Sequence, residues 1–151
     1  MTNLSLNWRI ELIAASGIEQ VRNLPSGQAT VVLKSGAAWM RLPTGGHRPT
    51  VSVKPTDSDA GILYTVDITA RLPLSLSSDA LLHTLRRTHQ AVARYQKTDG
   101  TWLLVGSPAY PLRLTLERIE ADEAGGFSGY ELRLTGKQTH EQLRLTSPIL
   151  T

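Results

Sequence analysis

The chain contains no cysteine in 151 residues, which removes both a disulfide framework and any thiolate metal site and leaves oxidising and reducing compartments equally open. Aromatics are also scarce, with one Phe, three Trp and four Tyr, so a core has to be made of Leu, Val and Ile. No apolar run approaches the ~18 residues of a membrane helix. The N-terminus lacks the basic start and continuous apolar stretch of a signal peptide, because Arg9 and Glu11 interrupt it. These absences lead us to expect a soluble, unsecreted, cytoplasmic protein without membrane contact.

Sixteen cations against thirteen anions make the balance mildly basic, at +3. That is a mixed surface and not the field of a strong polyanion binder. A chain of this length fits one domain, residues 1–151, and buries about 68–70% of the surface its unfolded form exposes.

What is present is strand grammar. Between residues 90 and 121, two alternating stretches flank Asp99-Gly100, a dipeptide suited to a hairpin turn, and a third follows Pro108 and Pro111. This reads as a β-meander. Residues 5–14 place Leu6, Trp8, Ile10 and Leu12 on one face of a half-buried strand. Turn chemistry at Ser16-Gly17 and Asn23–Gly27 precedes strands over 29–34 and near 37–42, a pair that Lys34-Ser35-Gly36 would close. Residues 42–49 carry two prolines and a Gly-Gly, a loop leading to a short edge strand at 50–54. The cleanest alternation follows, with Ile62, Tyr64, Val66, Ile68, Ala70 and Leu72 facing one way and Thr65, Asp67, Thr69 and Arg71 the other.

One helix is expected over roughly 79–89. Ser77 or Ser78 would cap it, Asp79 suits its positive end, and Leu81, Leu82, Leu85 and Val92 recur at helical spacing. Strands then recur at 91–96, 102–105, 112–119 and 130–134, with Leu112, Leu114 and Leu116 facing Tyr130, Leu132 and Leu134, and the tail adds a last strand around Leu143 and Leu145. About nine short strands and one helix predict a mainly-β (α+β) fold, an antiparallel sandwich or barrel with one packed helix.

Motifs for chemistry are missing. Asp57, Asp59 and Gly61 resemble the start of a calcium loop, but the glycine falls one place early and position twelve is Ile68, so a polar turn is the better reading. His47, His83, His89 and His140 have no metalloprotease spacing, and Ser107 and Ser128 lack the elbow of a serine hydrolase. No cofactor, metal or catalytic residue is expected. The densest charge is a basic stripe, His83, Arg86, Arg87, His89, Arg94 and Lys97, fifteen residues without an acid. A solvated face explains it best. The alternative is that His83, Arg86, Arg87, Arg94 and Lys97 contact phosphate or an acidic partner, with weak nucleic-acid binding because only Tyr95 is near for stacking.

The succession Thr56, Asp57, Asp59, Gly61 and Tyr64 into a long strand, then a short helix, then Asp99-Gly100, Trp102 to Ser107, and Pro111-Leu112 resembles small prophage-encoded virion proteins of the tail and head-to-tail region. The likeness covers residues 50–116. It implies a compact β-sandwich or barrel that assembles into rings, with self-association or virion partners and no catalysis. The leading expectation is therefore a non-enzymatic structural subunit with loops 43–49 and 121–129 as contact surfaces. The alternatives are a nucleic-acid-associated module using the stripe at 83–97, and a small-ligand-binding protein or hydrolase.

Overall fold

A computed structural model describes residues 9–45, 47–59, 61–97, 99–121 and 126–145. Strands make up 57% of the chain, accompanied by one α-helix, as the alternation predicts. They are β1 (Arg9–Ala14), β2 (Ile18–Leu24), β3 (Gln28–Leu33), β4 (Met40–Arg41), β5 (Thr50–Ser58), β6 (Gly61–Pro73), β7 (Gln90–Gln96), β8 (Trp102–Val105), β9 (Leu112–Ile119), β10 (Gly129–Gln138) and β11 (Leu143–Leu145). The helix, α1 (Asp79–Arg87), lies between β6 and β7. The Leu6 and Trp8 part of the first expected strand lies outside the described residues.

All eleven strands join one sheet in the order β2-β3-β11-β8-β7-β9-β10-β6-β5, with β1 on β7 and β4 on β1. The sheet is not closed into a barrel. It is mixed, because β11 runs parallel to β3 while the other pairs are antiparallel.

The centre of the sheet is β7, and it changes the expected meander. Ala93–Gln96 pair with Val105–Trp102 of β8, and Gln90 and Ala91 pair with Arg113 and Leu112 of β9. The third strand therefore does not lie beside β8; it continues the line of β8 along β7. The residues between Val105 and Leu112 bulge out of what would otherwise be a single strand. On the far side, β11 pairs with β8 and β10 with β9, so residues 139–142 interrupt a second line at the same level. The two interruptions are tied by Gln138, whose Oε1 accepts from Gly106 N at 2.9 Å and whose Nε2 donates to the His140 carbonyl at 2.8 Å. Here the sheet forks into an arm ending in β2 and an arm ending in β5.

Successive side chains of a strand point to opposite faces, and the central strands use both. Ile10, Leu12, Ala91, Ala93, Tyr95 and Val105 enter a larger cluster with Val66, Ile68, Leu72, Leu132 and Leu134, which α1 covers with Leu82 and Leu85. Ile13, Val92 and Leu104 enter a smaller cluster with Ile18, Ala29 and Leu143. Two cores thus share one set of strands.

Several expectations change. Residues 18–24 form β2, which the sequence hides because Ile18 and Val21 stand three apart across a register shift at Glu19. The stretch near 37–42 contributes two residues, which pair with β1 instead of closing a hairpin with β3. β5 is longer than the expected edge strand and passes through Pro55 to a turn ending at Gly61. The buried face of β6 is Val66, Ile68, Ala70 and Leu72, whereas Ile62 at the hairpin tip is 56% exposed. Val92 belongs to β7; the helix stops earlier, with Thr88 already extended at ψ 106°.

Candidate interaction surfaces

The helix carries the first part of the basic stripe. Ser78 caps it, its Oγ accepting from Leu81 N at 3.2 Å, with Asp79 in the first turn and Arg86 and Arg87 in the last. Both ends therefore complement the helix dipole. Leu82 and Leu85 face the core, which leaves His83, Arg86 and Arg87 exposed. The Arg86 guanidinium lies 5.8 Å from the centre of the Tyr130 ring, with Arg118 5.9 Å from the same ring. Arg87 and His89 line a groove of about 310 Å3 against Ala14, Ala15 and Ser16.

The rest of the stripe goes elsewhere. Arg94 lies on the face of β7 that carries Val92, where its Nε donates to Glu11 Oε1 at 2.7 Å. Its guanidinium sits 4.5 Å from the Trp39 ring centre and 4.6 Å from that of Trp102. Stacking and pairing both hold it, and its side chain keeps only 28% exposure. Lys97 is exposed at the hairpin turn, where its backbone N–H donates to Thr101 at 2.8 Å. Tyr95, the aromatic nearest in sequence, is buried in the larger cluster at 3% exposure, and that burial pushes its hydroxyl pKa upward against a hydrogen bond from Gln142. The structure thus keeps His83, Arg86 and Arg87 together and separates Arg94 and Lys97 from them. Trp39 comes from a distant segment and had no signal as a partner of Arg94, whereas Trp102 stands across the Asp99-Gly100 hairpin, two places from Leu104, which is opposite Arg94.

The two loops singled out as contact surfaces come together. His47 meets Phe127 edge-on, with ring centres 4.9 Å apart, and the Arg71 guanidinium lies 5.1 Å from the same phenyl ring. Phe127 can lie there because residue 129 is Gly: a Cβ at Gly129 would stand 2.9 Å from the Phe127 ring tip and 2.2 Å from the Leu72 carbonyl oxygen. Beside them Leu74 and Leu76, in a short 3-10 turn after β6, are 43% and 47% exposed. Residues 46 and 122–125 of these loops lie outside the described residues.

A cleft of about 350 Å3 opens at the fork of the sheet. One wall is β2, through Glu19, Gln20, Val21 and Asn23; the other is Gly106 to Tyr110, with Thr139, His140 and Leu143 between them. The bulge is internally held: Ser107 and Tyr110 exchange backbone hydrogen bonds at 3.2 and 3.1 Å, and Gly106 takes φ +86°, a left-handed conformation that costs glycine little.

Among the described residues no group of three or more His, Cys, Asp or Glu is placed to hold a metal ion, and no helix is long and apolar enough to cross a membrane. No protein-family model, curated protein or solved structure matches the chain.

Proposed function

We propose that the protein is a non-enzymatic structural or assembly subunit, of the kind found in the tail or head-to-tail region of phage particles, associating with itself or with other virion proteins. The observation that carries this reading is the convergence of loops 43–49 and 121–129 beside the exposed Leu74 and Leu76. An apolar centre inside a polar rim is the usual anatomy of a protein interface. Arg71 and His47 at that rim are both engaged with Phe127, so these three side chains are held in place before a partner arrives and lose less entropy on binding.

A nucleic-acid-associated module is less well supported, because Arg94 is already matched by Glu11 and only the helix retains adjacent cations. Sedimentation over a concentration series tests the assembly reading. Wild type should form a larger species, and Leu74→Glu/Leu76→Glu should sediment as a monomer with an unchanged thermal midpoint. A strictly monomeric wild type at high concentration, together with a gene neighbourhood free of virion genes, would remove it.

A further inference from the structure

We propose that the cleft at the fork of the sheet is a binding site for an uncharged carbohydrate, taken one or two sugar rings at a time. The proposal goes beyond the assembly reading and does not rest on it. The cleft lies near the Gln138 end of β10, whereas the loop surface lies near its Gly129 end.

The cavity is formed before anything enters it. Val21 and Leu143 line it and are also packed in the smaller core. The wall opposite β2 is fixed by the buried Gln138, which accepts from Gly106 N, and by the reciprocal backbone bonds of Ser107 and Tyr110. A volume of about 350 Å3 stands at the small end of the ~300–1,000 Å3 typical of ligand sites, which suits one or two rings and not a long chain.

Charge narrows the ligand class. Among the described residues the lining holds one carboxylate, Glu19, and no lysine or arginine, so nothing fixed there balances a phosphate or carboxylate and Glu19 repels one. What the lining offers is hydrogen bonding in both directions. The amides of Gln20 and Asn23 and the Thr139 hydroxyl each donate and accept, and among the described residues these three side chains have no other hydrogen-bond partner. The His140 ring donates from Nδ1 to the Glu141 carbonyl at 2.8 Å, since a carbonyl oxygen only accepts, and keeps Nε2 as a further polar group. A polyol answers such a set, because every hydroxyl of a sugar both donates and accepts.

Tyr110 supplies the apolar complement. It lines the cleft at 41% exposure, on the segment that Ser107 holds. The face of an aromatic ring is electron-rich, so it attracts the weakly positive C–H groups on the flat side of a sugar ring. On the other wall Val21 and Asn23 stand at alternate positions on one face of β2. An apolar contact and an amide are thus presented side by side to the same ring.

Ligand-observed saturation-transfer NMR on the full chain, with the methyl glycosides of glucose, galactose, mannose and N-acetylglucosamine, tests the assignment; inorganic phosphate and a capped dipeptide represent the other ligand classes. Saturable binding of at least one glycoside is expected, with amide shifts confined to β2 and residues 106–110 and 139–143. Tyr110→Ala leaves the backbone bonds of the bulge in place and should weaken that binding at least about tenfold, while Tyr110→Phe should retain it. Asn23→Ala, at an exposed position, should weaken it about threefold or more with an unchanged thermal midpoint. No saturable glycoside binding up to tens of millimolar, preference for phosphate or the dipeptide, or indifference to Tyr110→Ala would overturn the proposal.

Discussion

On one face of β1, β7 and β8, the larger cluster is assembled from long strands whose alternation runs unbroken: Val66, Ile68, Ala70 and Leu72 on β6 meet Leu132 and Leu134 on β10. On the other face, the smaller cluster takes single residues from short or irregular pieces, Ile18 beside a register shift, Ala29, Val92, Leu104 and Leu143. Its rim is finished by a polar device, Arg94 between Trp39 and Trp102 and hydrogen-bonded to Glu11. The larger side is a continuous apolar layer under a helix. The smaller side is held by a smaller set of apolar side chains and one charged stack, and it carries the arm that ends in β2.

The largest effect is expected on the strong side. Ile68→Asp places an unpaired carboxylate where the native side chain is 0% exposed, at a cost of about 5 kcal/mol, a large share of the roughly 5–15 kcal/mol by which folded domains are stable. Thr69→Asp, on the opposite face of the same strand and in register with Arg133, should stay within about 0.5 kcal/mol of wild type. Comparable thermal midpoints for the two would break the assignment of faces.

The weaker side should respond to loss of its charged stack. Arg94→Ala removes a charge-assisted hydrogen bond and two cation–π contacts and leaves Glu11, at 15% side-chain exposure, without its partner. A cost of about 2–3 kcal/mol follows, read from urea denaturation together with a changed tryptophan emission. Hydrogen exchange should then speed up in β2 and β3 while β6 and β10 stay protected. Uniform loss of protection would show that the two sides open as one unit.

The smallest effect concerns a surface pair on the strong side. The Arg133 fork holds Asp67 through bonds of 2.8 and 3.2 Å, and the hydrogen bond from that guanidinium is the main reason the Asp67 pKa lies below its ordinary 3.8. A lowered folded-state pKa means the contribution is present above the unfolded value and disappears as pH falls below it. Wild type should therefore lose slightly more stability than Asp67→Asn between neutral pH and the acid range. Since Arg133 is 58% exposed, solvent screens the pair, and the difference should shrink further in high salt.

Much of the strong side is legible without coordinates. The faces of β9 and β10, that of β6 apart from its exposed Ile62 tip, the Asp99-Gly100 hairpin and a helix capped by Ser77 or Ser78 all follow from local patterns, because alternation and capping involve residues close in the chain. β2 is illegible for an equally local reason: the extra residue at Glu19 shifts the alternation, so its two apolar residues look like part of a turn. The basic stripe is visible as composition, yet its separation is not, since Arg94 is claimed by Glu11 and Trp39 far away in sequence as well as by Trp102 across its own hairpin. The meeting of loops 43–49 and 121–129 depends on Gly129 leaving room for Phe127, a fact about packing that composition does not carry.

By itself the sequence determined that this is a mainly-β chain with one helix, a leucine, valine and isoleucine core and no thiol chemistry. Periodicity, caps and turns are written within a few residues of one another and act before any long-range contact forms. Only the tertiary structure decided that β8 and β9 are one interrupted line along β7, that the sheet forks there, that one set of strands serves two cores, and that β2 and β5 end the two arms. Those outcomes depend on which distant strands pair and in what register, and partner choice is settled by the whole set of buried side chains competing for the same edges.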